Sequence, residues 1–168
     1  DKDYAALVDP FIGTLDAGNT FSGPAIPYGM VQLTPYVSFT EEDGSGILNG
    51  FQHTNSSGSA GGGNRARGEV VFLPIVDGVA TSADKAYQSA FDHKNEIASP
   101  GYYSVLLDDY NITAELSATT RAGFHKYIFP KSDKSAIVLN LSNGSITMTH
   151  DEISGYEVSP SNGNKVYF

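Results

Sequence analysis

The feature that most constrains the fold is a series of short runs that are rich in apolar, aromatic and β-branched residues and are separated by turn residues. Two of them, 30–34 and 112–120, also alternate between apolar and polar side chains. Alternation with a period of two is typical of half-buried strands, and no stretch shows the 3.6-residue stripe of an amphipathic helix. The runs predicted to be strands are 30–34, 69–76, 102–107, 112–120, 123–129, 136–141, 145–149, 154–158 and 165–168. Strands at this short, regular spacing predict an all-β fold, an antiparallel β-sandwich.

Two stretches between these runs are predicted to be irregular. Residues 14–29 hold several glycines and prolines and predict a loop. Residues 41–68 are rich in glycine, and too few apolar residues remain around Phe51 to offset the entropy of ordering the backbone. A long surface loop is therefore predicted there, and long loops in compact domains are often functional. The pair Asn143–Gly144 predicts a tight hairpin turn.

Length and charge narrow the class of protein. The chain has 168 residues, enough for one domain, and its net charge of −9 argues against nucleic acid as a partner. It has no cysteine, which excludes disulfides and thiolate metal sites, and no apolar run long enough to span a membrane. The chain ends on the strand-like run Val166–Phe168, which suggests a fragment whose unpaired edge strand could mediate self-association.

Few side chains suggest chemistry by spacing alone. None of the histidines at 53, 93, 125 and 150 stands at a metal-ligand spacing. His53 and His93 fall in predicted loops, where functional residues concentrate, whereas His125 falls inside a strand and is expected to be structural. Glu96 is the acidic residue of most interest, with capping of backbone N–H groups as the simpler interpretation. No pair of carboxylates is marked out as the acid and base of a glycosidase.

Longer motifs carry a resemblance to a known family. The blocks VDPFIGT (8–14), NTFSGPA (19–25), PYGMVQL (27–33), GFQHT (50–54), HKNEIASPGYYSV (93–105) and GFHKY (123–127) occur in this order. They resemble the family 92 glycoside hydrolase blocks NPFIGT, HTFPGA, PFGMVQL, GFSHTH, HENEVASPGYYSV and GFHRY. The resemblance covers most of residues 8–130.

The resemblance implies that residues 1–168 form the N-terminal β-sandwich domain of a calcium-dependent, inverting exo-α-mannosidase that acts on mannose-containing glycans. In that family the acid, the base and the calcium ligands lie on a C-terminal (α/α)6 barrel. The resemblance therefore implies no catalytic and no metal-binding residue here, and a chain that is inactive alone. A secreted, periplasmic or cell-surface bacterial protein is expected.

The sandwich is expected to contribute loop residues to one side of the sugar pocket. The residues expected to bind substrate are Asn19, Phe21, Gly23, His53, Asn55 and Glu96. Gly23 is expected to let the backbone approach a sugar closely, so that Gly23→Val would impair turnover far more than stability. The ring of His53 is expected to hydrogen-bond a sugar hydroxyl.

This chain departs from the family pattern at two places. Residues 36–49 contain no tryptophan, and Asn55 replaces the second histidine of the GFSHTH block. Both departures leave the linkage specificity open. The alternative function, from a different class, is a non-catalytic carbohydrate-binding or adhesion sandwich.

Overall fold

Two antiparallel sheets face each other across the hydrophobic core of the computed structural model. The model describes residues 2–14, 18–40, 45–55, 67–76, 78 and 87–168. The strands in this part are β1 Thr34–Thr40, β2 Ser45–Gln52, β3 Val71–Ile75, β4 Ser89–Asp92, β5 Ile97–Ser99, β6 Tyr102–Leu107, β7 Ile112–Ala118, β8 Gly123–Ile128, β9 Ala136–Asn140, β10 Gly144–Met148, β11 Ile153–Val158 and β12 Lys165–Tyr167. Short 3-10 turns cover Ala5–Leu7 and His93–Asn95. No helix in the described ranges is long and apolar enough to cross a membrane.

The first sheet has the order β1-β2-β3-β9, and β4 pairs with the N-terminal half of β2. The second sheet is the meander β5-β6-β7-β8. Strand β7 shows why the meander forms, because its residues alternate strictly between buried and half-buried positions. Its buried side chains therefore all face the first sheet.

The core lies between these two sheets. Its fully buried members include Leu48, Phe51 and Leu73 from the first sheet and Tyr103 and Leu116 from the second. The rings of Phe51 and Tyr127 stack across the interface with centroids 6.1 Å apart. Burial of these large side chains is the main term that stabilises the sandwich.

A third, three-stranded sheet of order β10-β11-β12 is joined to the sandwich through a buried carboxylate. Glu157 is fully buried on β11 and accepts hydrogen bonds from Val70 N at 2.7 Å and from Ser142 N at 2.9 Å. Arg67 adds an ion pair at 2.8 Å. Burial raises the pKa of Glu157, but the bonds from Ser142, Val70 and Arg67 outweigh this effect and hold its pKa below the ordinary value.

The sandwich prediction is confirmed, and so are most of the predicted strands. The run 102–107 matches β6 at both ends, and the runs 112–120, 123–129 and 136–141 match β7, β8 and β9 to within two residues. The predicted strands at 69–76, 145–149, 154–158 and 165–168 are also present as β3, β10, β11 and β12. In β7 the predicted alternation matches the burial of the side chains. Every residue of β10 is exposed, so this strand is defined by its pairing with β11 rather than by burial.

Three local predictions are wrong. Residues 30–33 are not part of a strand and contain one partner of the isolated bridge between Ala25 and Gln32, and the first strand begins at Thr34. Residues 45–52 form β2 rather than a surface loop, with Gly50 placed where a Cβ would come within 2.7 Å of the Phe72 carbonyl oxygen. Within the predicted loop, residues 41–44 and 56–66 lie outside the described residues.

The hairpin predicted at Asn143–Gly144 is the third error. The preceding strand β9 pairs with β3, and the following strand β10 pairs with β11, so the two flanking strands belong to different sheets. Glu157 turns the chain here by accepting from Ser142 N and Ser142 Oγ, and Val158 N donates to the carbonyl of Asn143 at 2.7 Å. This long-range anchor outweighs the local turn preference.

Candidate functional site

The loop that carries Asn19, Phe21 and Gly23 is held against the turn at 11–14. Thr20 makes both links, since its N–H donates to the Gly13 carbonyl at 3.1 Å and its hydroxyl donates to the Ile12 carbonyl at 2.7 Å. Asn19 has a φ of 56°, in the left-handed region that asparagine tolerates better than most residues. The two hydrogen bonds of Thr20 therefore fix the position of this loop relative to the turn at 11–14.

Gly23 is required by the protein's own packing. A Cβ at this position would lie 1.9 Å from the Leu33 carbonyl oxygen and 2.6 Å from the Cα of Thr34. Gly23 does allow a close backbone approach, but the group that approaches it is the backbone of Leu33 and Thr34 rather than a sugar. These contacts argue against the expectation that Gly23→Val would impair turnover far more than stability.

Glu96 is the centre of a buried polar network. Its side chain is 2% exposed, and its two carboxylate oxygens accept from the Nδ1 of His93 and the hydroxyl of Tyr103. The carboxylate therefore binds two side chains, in place of the backbone N–H groups that the simpler interpretation predicted. A cleft of about 240 Å³ opens beside this network and is lined by Phe11, Thr14, His93 and Glu96.

His53 belongs to a second network, with a fixed direction of donation. Its Nδ1 lies 2.7 Å from the carbonyl oxygen of Val70, which can only accept, so Nδ1 carries the proton. Its Nε2 then accepts from the Nε2 of His125 at 3.0 Å, and the Nδ1 of His125 accepts from the Tyr127 hydroxyl at 2.8 Å. Both ring nitrogens of His53 are engaged, so a sugar hydroxyl would have to replace one of these bonds.

This second network favours uncharged imidazoles. Burial lowers the pKa of His53, although the bond to the Val70 carbonyl acts in the opposite direction. Burial, together with the electrostatic repulsion that a second charged imidazole would meet next to His53, lowers the pKa of His125 to about 3. Burial also raises the pKa of the Tyr127 hydroxyl. All three groups therefore remain neutral at physiological pH.

Two further clefts adjoin this network. One has a volume of about 330 Å³ and is lined by Met30, Val31, His53, Thr54, Val70, Phe72, Arg121, Gly123, Ile153, Val166, Tyr167 and Phe168. Asn55 lies in the other, a polar cleft of about 250 Å³ lined by Thr54, Asn55, Arg67, Gly68, Glu69, Ser159, Ser161, Asn162, Asn164 and Val166. Hydroxyl and amide groups dominate this polar cleft.

The two networks stand at opposite ends of one row of side chains. Tyr103 pairs with Leu116 and Leu116 pairs with His125, so all three point to the same face of the second sheet. The Glu96 network lies at the β5 end of this row and the His53 network at the β8 end. Adjacent strands are about 4.8 Å apart, so the row separates the networks by about 10 Å of sheet.

Some participants were not expected from the sequence. From the sequence, Tyr103 and Tyr127 are indistinguishable from other aromatic residues of strands, and His125 was expected to be structural. Their inward position in the strand alternation was the available signal, because a buried tyrosine or histidine requires a polar partner. The partner could not be identified from sequence, since His53 and His125 are 72 residues apart.

A metal site was tested against the same residues. Within the described ranges, no group of three or more His, Asp or Glu side chains is arranged to hold a metal ion. The buried carboxylates of Glu96 and Glu157 are already committed to hydrogen bonds from protein groups. Among the described residues there is thus no cluster of such side chains arranged to hold calcium.

An antiparallel sandwich with small, partly polar clefts beside its loops defines a class that includes sugar-processing and sugar-binding modules. Comparison with known proteins is more specific. Residues 7–168 match the Glycosyl hydrolase family 92 N-terminal domain. The chain therefore belongs to the N-terminal domain family of family 92 glycoside hydrolases.

Solved relatives share the fold. A family 92 alpha-mannosidase from Bacteroides thetaiotaomicron, in complex with mannoimidazole, is 29% identical with a TM-score of 0.81, and the match covers 99% of this chain and 24% of that one. The family 92 glycosyl hydrolase ccman5 is 30% identical with a TM-score of 0.75, over 92% of this chain and 24% of that one.

A curated relative gives a similar result. An uncharacterized secreted glycosidase of Arthroderma benhamiae is 29% identical over an alignment of 147 residues, and the match covers 79% of this chain and 18% of the relative. The chain thus spans about a quarter of the length of the solved relatives and less than a fifth of this curated one.

Proposed function

We propose that this chain is the N-terminal domain of an inverting exo-α-mannosidase that removes terminal α-linked mannose from glycans. The single observation that carries the proposal is the family match over residues 7–168, together with a TM-score of 0.81 to an alpha-mannosidase of the same family. In this proposal the sandwich supports the sugar pocket and lines one side of it. The partners are a mannose-bearing glycan and the protein's own C-terminal (α/α)6 domain.

The positions of the buried carboxylates favour a structural role of this domain at the sugar pocket rather than a catalytic role. An inverting glycosidase needs two carboxyl groups about 6.5–9.5 Å apart with a water molecule between them. Glu96 and Glu157, two buried carboxylates in the described part, are held by neighbouring side chains or backbone N–H groups. We therefore assign the acid and the base to the rest of the full-length protein.

The calcium site is also assigned to the rest of the full-length protein. The resemblance to family 92 implies a calcium-dependent reaction, in which the ion would help to bind and orient the sugar hydroxyls. The described residues do not fit that ion, so its ligands are proposed to lie on the (α/α)6 domain. Secretion is proposed because a relative is named as a secreted glycosidase.

The loop at 19–24 is proposed to face the sugar. Its links through Thr20 to the 11–14 turn fix its shape, and preorganised loops lose less entropy when a ligand binds. Phe21 is half-buried on this loop and can present ring surface to the sugar, whereas Gly23 positions the loop against Leu33. The loop thus presents a rigid surface to one side of the pocket.

The test uses the full-length protein and a pair of phenylalanine variants. Phe21→Ala is expected to lower kcat/KM on an α-linked mannobioside by tenfold or more. The control is Phe124→Ala on β8, whose side chain is 65% exposed and lies outside the proposed pocket. Equal activity of the wild type and both variants would remove the loop from the sugar site.

A further inference from the structure

The cleft of about 330 Å³ lies between the sandwich and the third sheet. Its volume falls within the usual range of about 300–1,000 Å³ for sites that hold small molecules. Met30 and Phe72 line it on the side of the sandwich, and Ile153, Val166 and Tyr167 line it on the side of the third sheet. A boundary between two packed units is a common place for a ligand site.

Large apolar side chains line this cleft and remain open to solvent. Met30 is 73% exposed, Tyr167 is 72% exposed and Ile153 is 45% exposed. These residues are far apart in the sequence, and the fold brings them together around one cleft. Exposed apolar surface that is concentrated in this way is typical of a binding site, whereas single exposed apolar residues are common on any surface.

Among the described residues that line the cleft, Arg121 is the one with a charged side chain, since His53 is neutral at physiological pH. Arg121 lies in the turn between β7 and β8, which is closed by the bond from Thr119 N to the Ala122 carbonyl at 2.8 Å. Met30 N donates to the carbonyl of Thr120 at 2.7 Å, so the turn is also tied to the apolar wall. The backbone that carries Arg121 is therefore held beside the cleft.

Arg121 is exposed and makes no ion pair within the described ranges. The ion pairs there are formed by other cations, namely Arg67, His93, Lys94 and Lys126. The other polar side chains of the cleft are engaged, because both ring nitrogens of His53 are hydrogen-bonded and the hydroxyl of Thr54 donates to Glu69. The guanidinium of Arg121 thus brings unused donors and a positive charge to an apolar cleft.

We propose that this cleft binds a small organic anion with an apolar body, such as an aryl or alkyl carboxylate. The apolar body packs against Met30 and Tyr167, and the carboxylate accepts hydrogen bonds from the planar guanidinium of Arg121. A neutral sugar fits this cleft less well, because its hydroxyls would lie against apolar side chains without partners. The inference goes beyond the proposed function and does not depend on hydrolysis.

The test compares two ligands that share one apolar body and differ in charge. The full-length protein is titrated at pH 7 with phenylacetate and with its uncharged amide, phenylacetamide, and both affinities are measured by isothermal titration calorimetry. We expect phenylacetate to bind about tenfold more tightly, because hydrogen bonds between charged groups are about twice as strong as those between neutral groups.

Two variants separate the charge from the apolar wall. Arg121→Gln is expected to bind both ligands with equal affinity, and Met30→Ala is expected to weaken both to a similar extent. The matched control is Lys126→Gln, because Lys126 is an exposed cation on β8 that pairs with Glu115 and does not line the cleft. This control is expected to keep the wild-type ratio of affinities, and thermal melts establish that each variant is folded.

Equal affinities of the two ligands for the wild type would overturn the inference. A preference for phenylacetate that persists in Arg121→Gln would do the same. Absence of binding of either ligand to the full-length protein would also overturn it, and this result is expected if another part of that protein fills the cleft. Failure of the proposed function is seen separately, as an absence of mannoside hydrolysis by a protein that still binds phenylacetate.

Discussion

The Nε2 atoms of His53 and His125 lie 3.0 Å apart, although the two residues come from facing sheets. The bond continues on one side to the Val70 carbonyl and on the other to the Tyr127 hydroxyl. Val70 has a φ of 58°, which is unusual for a β-branched residue. Its strained backbone is held by His53 at the carbonyl and by Glu157 at the N–H, so the network links all three sheets.

This network predicts a pH-dependent stability. Burial lowers the pKa of both histidines in the folded chain, to about 3 for His125, from an ordinary value of 6.5. Between these values the unfolded chain binds more protons than the folded chain, so the free energy of unfolding decreases as the pH falls from about 6.5 towards 3. Urea titrations of the 168-residue chain at pH 7, 6, 5 and 4 measure this decrease.

Two glutamine variants isolate the histidine contribution from that of the carboxylates. His125→Gln is expected to lower the stability at pH 7 but to reduce its loss on acidification. His150→Gln, at an exposed position, is expected to keep the wild-type pH profile. Identical slopes for wild type and His125→Gln between pH 6 and pH 4 would contradict the assignment of neutral buried imidazoles.

The Glu157 anchor predicts a large, local loss of stability. Glu157→Ala leaves Val70 N and Ser142 N without this acceptor and Arg67 without its ion-pair partner, so we expect a loss of about 3–5 kcal/mol in the free energy of unfolding. Ser142→Ala removes a single hydroxyl bond and should cost about 0.5–1.5 kcal/mol. Hydrogen exchange should show β10 to β12 opening first in Glu157→Ala. An unaltered exchange pattern would refute the anchoring role.

Gly23 predicts a folding defect rather than a purely kinetic one. In Gly23→Ala the new Cβ meets backbone atoms of Leu33 and Thr34, so we expect a loss of about 3 kcal/mol or more. Gly163→Ala is the matched control, because its φ of 74° is strained but its Cβ meets no atom within 4 Å. That variant should cost about 1–2 kcal/mol. Thermal melts that rank the two variants in the opposite order would contradict this packing.

The edge of the third sheet predicts self-association. Phe168 and Gly155 exchange both hydrogen bonds, so the N–H of the adjacent Tyr167 points away from β11. Strand β12 has no other partner among the described strands, and an unpaired edge favours association. We expect concentration-dependent dimers of the 168-residue chain by sedimentation velocity. Tyr167→Pro should abolish them and Tyr167→Leu should not, whereas a monomer at all concentrations would contradict the prediction.

Strands could be predicted from the sequence where the type of side chain in a run reflects the position of that run in the fold. The run at 112–120 was predictable because its period of two matches the pleat of β7. The run at 102–107 was predictable because aromatic and β-branched residues favour strands. Strand β2 could not be predicted in this way because its glycines, Gly46 and Gly50, are more typical of loops. In the structure Gly50 lies where β3 approaches closely, so its lack of a side chain serves packing rather than flexibility.

The candidate functional site could be predicted only in part, because the partners of its residues come from distant parts of the chain. The motifs led to Glu96 and His53, and both lie in buried polar networks beside clefts. The roles expected of them depended on partners that come from distant strands. Tyr103 and His125 share one row of the second sheet through Leu116, and this register is set by the fold rather than by local sequence.

The proposal that this domain is part of an inverting exo-α-mannosidase has one direct test. The full-length protein is incubated with methyl α-mannoside and an α-linked mannobioside, and the anomeric protons are followed by NMR. We expect β-mannose to appear first, and we expect the purified 168-residue chain to release no mannose. Initial release of α-mannose, or hydrolysis by the 168-residue chain alone, would contradict it. Sugar binding by the full-length protein without any hydrolysis would instead identify a carbohydrate-binding or adhesion module.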